Sequence, residues 1–182
     1  MMREVSRRER WGLLACYVLE ATALAIWIGG LVVIIAAVIP AVFNALGASM
    51  PTAGRLLARI FDGYNRLVIG AMVTLAGASA WRLWVSRQRG RAEAAVTRVE
   101  LTLLAVMILV ALLIIVVLGP PLVVRQERLF AAQDEIARKV AFEDFFQIHR
   151  MVRGLYVLNL GLGLVLLGAK IHRWMGRDQT HQ

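Results

Sequence analysis

One carboxylate stands alone within the first long apolar stretch of the sequence. Glu20 lies nine residues past Trp11, which is about 13 Å along a helix. An ionisable group at that depth in a membrane is costly, and it tends to mark an ion path, a proton relay or a ligand contact. Two interpretations follow: either Glu20 contacts a ligand, or it has a structural role, paired with an arginine such as Arg82 or kept protonated.

A second polar set leads into the last apolar stretch. His149, Arg153 and Tyr156 share one face of a helix, and Asn159 lies deeper in the same stretch. A histidine in this position can bind a metal, accept a proton or face a ligand; the alternative is a hydrogen-bonded histidine at the membrane interface. A buried amide in hydrocarbon usually forms a hydrogen bond to a neighbouring helix.

Metal and haem chemistry have few candidate ligands. Copper could be bound by His149 together with Met50 or Met151, because imidazole and thioether both suit copper. A haem held by two histidines of one chain is not supported, since His149 and His172 are 23 residues apart, or about 34 Å on one helix. The single cysteine, Cys16, excludes an intrachain disulfide. No nucleophile elbow, phosphate-binding loop or HExxH motif is present, so no enzyme is predicted.

The elements that carry these residues are long apolar runs. The chain is 59% hydrophobic and 18% charged, whereas soluble domains have about 45–50% and about 25%. A helix of about 20 residues crosses the hydrocarbon core. Proline should end the first helix at Pro40 and the third at Pro120 and Pro121, because it lacks the amide donor. We therefore predict an all-α integral membrane protein, a four-helix transmembrane bundle with spans at about 12–39, 67–85, 101–118 and 151–171.

The net charge of +9 is explained by the membrane rather than by nucleic acid. Arginines flank the apolar runs, where they meet anionic headgroups and set the orientation. They are densest beside the two ends of the chain and in the second connection. This distribution predicts a multi-pass protein of the cell (inner) membrane with both termini in the cytoplasm.

The two connections on the other side have helical periodicity of their own. In the first, Phe61 and Tyr64 lie on an apolar face, and the second helix is expected to start near Pro51 with Ser49 as its cap. In the other, apolar residues recur up to Phe146, so the fourth helix should begin well outside the membrane. These extensions of helices two and four predict a helical collar on the non-cytoplasmic side.

Several residues recur in an order that is found in a known family: Trp27, Gly29, Gly30, Pro40, Phe43, Ala53, Gly54, Phe61, Tyr64, Pro120, Phe146, His149 and Asn159. In this order the chain resembles the transmembrane-protein-205-like family. Tyr156 stands where that family usually has its asparagine, and Arg150 where it favours glycine. The first half is also similar to the copper-resistance CopD family. The resemblance implies a four-helix membrane protein of poorly defined activity with a link to platinum-drug and heavy-metal resistance.

The leading hypothesis is a non-enzymatic membrane protein that handles or exports a small ligand or a heavy-metal species. One alternative is a metal- or haem-binding redox module. The other is a structural subunit of a membrane complex or of a homo-oligomer. The partners expected for the protein are the lipid bilayer and other membrane subunits, with no nucleic acid. Near the outer membrane boundary we expect Trp27, Pro40, Phe43, Phe61, Tyr64, His149 and Tyr156 to approach one another, with Glu20 and Asn159 as further ligand-binding candidates and His149 as the candidate metal ligand.

Overall fold

The computed structural model describes residues 7–47, 49–89 and 95–178, and it contains no strand in that part of the chain. Four long helices account for almost all of it. Four helical segments of 36, 39, 34 and 39 residues are long and apolar enough to cross a membrane, since at ~1.5 Å per residue each exceeds the ~30 Å hydrocarbon core. The predicted all-α membrane bundle is confirmed. The helices run Arg7–Val33, Ile34–Val38 and Ile39–Leu46 (first), Met50–Arg89 (second), Arg98–Leu112, Leu113–Leu118 and Gly119–Ala131 (third), and Glu135–Asp178 (fourth).

The first and third helices pass through their prolines. The first continues beyond Pro40 to Leu46, and the third continues beyond Pro120 and Pro121 to Ala131. The prediction that proline ends both helices is therefore wrong. Each proline lies in the first turn of a new α-helical segment, where a missing amide donor costs little.

A short π-helical stretch makes this continuation possible. Ahead of the prolines the hydrogen bonds span five residues: Ile39 N–H donates to Ile34 O, and Gly119 N–H donates to Ile114 O. In a regular α-helix a proline ring crowds the carbonyl four residues earlier. The wider π turn relieves that contact and restarts the α-helix on the far side.

The second and fourth helices begin where the sequence predicts. The second starts at Met50, and Ser49 precedes it with its carbonyl accepting from Ala53 N at 3.0 Å. The fourth starts at Glu135, where Asp134 Oδ2 accepts from Ala137 N at 3.1 Å. Because the first and third helices also continue past their prolines, the collar includes parts of all four helices rather than two. We use the name collar for residues 39–46, 50–66, 119–131 and 135–150.

The core lies along the bundle axis, where each helix contributes a fully buried side chain. These are Leu24, Leu75, Met107 and Leu166. The first helix packs mainly along the second, and the third mainly along the fourth. Gly163 permits a close approach of the fourth helix, because a Cβ there would stand 2.9 Å from Ile28 Cγ1.

Candidate functional site

Glu20 is fully buried and neutralised by two cations. Its Oε2 accepts from Arg82 Nη1 and from Lys170 Nζ, both at 2.6 Å, and its Oε1 accepts from Ser79 Oγ at 3.1 Å. The expected pairing with Arg82 is confirmed. Because a buried charge is tolerated only when it is paired and hydrogen-bonded, this arrangement fixes the first, second and fourth helices together.

The third helix joins the same network. Arg173 pairs with Glu100 at 2.7 Å, and the Ala95 carbonyl accepts from both Arg82 and Arg173. We call Glu20, Arg82, Glu100, Lys170 and Arg173 the charge cluster. Two buried atoms in it, Arg82 Nε and Glu100 Oε2, have no hydrogen-bond partner among the described residues. The charge cluster links all four helices at the end of the bundle that carries the termini.

A small cavity lies nearer to the collar. It offers about 10 Å³ to the centre of a water molecule, which is close to the minimum that one water requires. All four helices contribute to its wall, and its lining is mostly aromatic and aliphatic. We call it the tyrosine cavity; it is lined by Trp27, Tyr64, Asn65, Val68, Ala111, Ile114, Ile115, Tyr156 and Asn159.

Hydrogen bonds fix the two tyrosines of this cavity. The Tyr64 hydroxyl donates to the Trp27 carbonyl at 2.7 Å, and the Tyr156 hydroxyl donates to Asn65 Oδ1 at 2.9 Å. Their ring centroids are 6.4 Å apart. Gly30 makes room for the Tyr64 ring, because a Cβ at that position would lie 3.0 Å from Tyr64 Cε2. The cavity wall is therefore positioned by contacts between helices.

Asn159 is the incompletely satisfied polar group of the cavity. Its side chain is buried, with 4% of the residue exposed. Its Nδ2 donates to the Met107 carbonyl at 3.4 Å, whereas its Oδ1 has no hydrogen-bond partner among the described residues. A buried acceptor left without a donor costs about 1–3 kcal/mol, so this atom favours a bound donor.

The structure brings together five of the nine residues that the sequence singled out. Trp27, Tyr64, Tyr156 and Asn159 line the tyrosine cavity. Phe61 packs against Tyr156 with ring centroids 5.5 Å apart. Glu20 belongs to the charge cluster instead.

The remaining three of the nine belong neither to the cavity group nor to the charge cluster. Pro40, Phe43 and His149 are exposed. The His149 ring lies on Phe145 and Phe146 of its own helix, with centroid distances of 5.3 and 6.2 Å. A ligand-binding role for these three residues stays a prediction. In the described parts of the chain, no three His, Cys, Asp or Glu side chains are grouped closely enough to hold a metal ion.

Lys170 and Asn65 are site residues that the sequence analysis missed. Lys170 lies at the end of the predicted fourth span, where a basic residue indicates orientation rather than a site. Its spacing of 11 residues from Asn159 is close to three full helical turns, and that spacing places both on the inward face. Asn65 follows Tyr64 directly and carried no separate signal.

Fold and site together define an integral membrane protein whose four-helix bundle has buried charges at one end and a small aromatic cavity towards the other. The family model of a domain of unknown function, DUF4149, matches residues 22–129, and the chain belongs to this family. The matched region includes the cavity residues of the first three helices but not Tyr156 or Asn159. No curated protein and no solved structure matches the chain.

Proposed function

We propose that this protein is a non-enzymatic membrane protein that binds a small ligand inside its bundle, in the tyrosine cavity. The observation that carries the proposal is the buried Asn159 Oδ1, which has no partner among the described residues and belongs to a residue that lines a cavity shared by all four helices. Polar groups inside a membrane bundle are costly, and they tend to be retained where they contact a ligand.

The charge cluster supports a site that is closed at the end with the termini. With both termini in the cytoplasm, as the arginine distribution predicts, a ligand reaches the cavity from the collar side or from the bilayer. The side-chain groups that line the cavity favour an organic ligand. They do not favour the heavy-metal species that the resemblance to the transmembrane-protein-205-like and CopD families implies. The cavity presents amide, hydroxyl and aromatic groups, whereas soft metals prefer thiolate, thioether and imidazole ligands.

Native mass spectrometry of the protein purified from its own membranes tests the proposal. We expect a small-molecule adduct on the wild type that is lost in Asn159→Leu, which removes the orphan acceptor at similar volume. Leu158→Ala is the matched control, because Leu158 is half exposed on the outside of the same helix. An adduct pattern that is identical in all three proteins would refute a ligand in this cavity.

A second candidate is a subunit of a larger membrane complex or homo-oligomer. It is supported by the exposed apolar side chains on the collar part of the fourth helix: Ile136, Val140, Phe142 and Phe146. Apolar patches on a surface often mark an interaction site. Replacing Phe142 by serine should then shift the complex to a smaller mass in native gels. An unchanged mass would refute an interface at this patch.

A further inference from the structure

Among the described residues that line the tyrosine cavity, the buried polar atom left without a partner is an acceptor. Both tyrosine hydroxyl protons are already used, by the Trp27 carbonyl and by Asn65 Oδ1. Asn159 is a lining residue, and its buried Oδ1 has no partner among the described residues. A group that donates an O–H or N–H hydrogen bond therefore gains at this atom, and a group that only accepts gains nothing there.

The electrostatics of the cavity favour a neutral occupant. None of its lining residues is charged. Glu20 lies seven residues before Trp27, about 10 Å along the helix, and it is neutralised by Arg82 and Lys170. A cation in the cavity would lack a counter-charge, and burying an unpaired charge is far more costly than burying a hydroxyl group.

Size and access indicate where the rest of the ligand lies. The room inside the cavity suits one water or one hydroxyl group. Three of its lining residues, Asn65, Ile115 and Tyr156, are only partly buried, so the cavity approaches the surface of the bundle. Tyr64 and Asn65 just precede the predicted second span, whereas Asn159 lies eight residues into the predicted fourth span, or about 12 Å along the helix. The cavity therefore extends from the level of the membrane interface into the hydrocarbon.

We propose that the tyrosine cavity binds the hydroxyl group of a lipophilic alcohol or phenol, which donates its proton to Asn159 Oδ1 while its apolar part extends into the bilayer. This inference rests on the proposed function and narrows it to one chemical class. Val68, Ala111, Ile114 and Ile115 supply the apolar wall along which the first carbons pack.

Photo-crosslinking in lipid nanodiscs tests the proposal. The probe is a long-chain primary alcohol that carries a diazirine near its hydroxyl end, and the competitors are the unlabelled alcohol, its methyl ether and the corresponding trimethylammonium compound. We expect crosslinks in the cavity segments of the third and fourth helices. The alcohol should compete at least about tenfold better than the ether, because the ether cannot donate to the orphan acceptor.

Two variants complete the test. Asn159→Leu should abolish the difference between alcohol and ether, and Ala111→Leu, which fills the cavity and keeps Asn159, should abolish crosslinking there. Leu158→Ala should retain both. A cooperative thermal unfolding transition establishes that each variant is folded. If Asn159→Leu does not fold, Ala111→Leu provides the test.

Each other outcome has a defined meaning. Equal competition by the ether would overturn the donor requirement, and stronger competition by the trimethylammonium compound would overturn the neutral occupant. If the Asn159-dependent adduct is present in native mass spectra but the alcohol does not crosslink in the cavity, the chemical class is wrong and the proposed function survives. If neither is observed, the cavity holds water only and both proposals fall.

Discussion

At the end of the bundle that carries the termini, removing the charge of Glu20 should be the most damaging conservative substitution. Glu20→Gln keeps the volume and still accepts from Ser79, but it takes the anion from two cations that both lie 2.6 Å from Oε2. Breaking a buried ion pair by removing one partner costs about 3–5 kcal/mol, because a buried charge is left uncompensated. We therefore expect a loss of stability in that range.

The structure also indicates which cation causes the loss. Without Glu20, Arg82 keeps its hydrogen bond to Ala95 and its position 4.4 Å above the Tyr17 ring. Lys170 keeps nothing comparable, since Glu20 is its hydrogen-bonding partner in the described part of the chain. Lys170→Met alone should cost less than Glu20→Gln, because Glu20 remains paired with Arg82. In the double variant the two effects should fall short of their sum by about 0.5–3 kcal/mol.

Unfolding of the purified protein in mixed micelles of detergent and SDS, followed by circular dichroism, measures these free energies. Arg66→Gln is the control: Arg66 and Asp62 form an ion pair with side chains 78% and 63% exposed, and such pairs contribute about 0–1 kcal/mol. Strictly additive effects of Glu20→Gln and Lys170→Met would refute the reasoning, as would a Glu20→Gln protein as stable as the control.

Three further outcomes are expected. In a variant that lacks the native cysteine, a cysteine at Ser49 should be labelled from outside intact cells and one at Arg89 should not; labelling of the second alone would reverse the topology. Tyr156→Phe should lower stability by about 0.5–1.5 kcal/mol through its lost hydrogen bond to the second helix, and an unchanged unfolding curve in micelles would contradict this. Gly30→Ala should destabilise the fold, because its Cβ would push away the hydrogen-bonded ring of Tyr64. Gly29→Ala, with open space at its Cβ, should instead stabilise the helix by about 0.5–1 kcal/mol. Equal melting temperatures of the two variants would argue against this packing.

The fold and part of the site follow from sequence because burial in a membrane leaves few solutions. Long apolar runs must form helices, since backbone groups in hydrocarbon require internal partners. A lone carboxylate such as Glu20 needs a nearby cation, and Arg82 is at the matching depth. The same requirement applies to polar groups that lie in apolar segments, because each must find a partner inside the bundle. It brings together Trp27, Tyr64, Tyr156 and Asn159.

Other features depend on helix rotation, which the sequence alone determines poorly. Ile148 and Val152 are buried and mark the inward face at the start of the fourth span. His149 follows Ile148 by one residue, which turns its side chain by about 100°, and it is exposed beside Phe145 and Phe146. A shared face with Tyr156 was not sufficient to bring it to the cavity, because His149 lies seven residues before Tyr156, or about 10 Å further towards the collar.

The prolines that were expected to end two helices have a closer connection to the cavity than their sequence context suggests. Pro120 and Pro121 follow the π-helical stretch Leu113–Leu118, and two residues of that stretch, Ile114 and Ile115, line the tyrosine cavity. A π turn inserts one residue relative to an α-helix and so changes which side chains face inward, and such turns occur frequently at functional sites. The same turn lets the helix continue to Glu127, whose carboxylate pairs with Arg55 of the second helix in the collar. One sequence feature therefore both shapes the apolar wall of the cavity and carries the helix on to the contact that joins two helices above it.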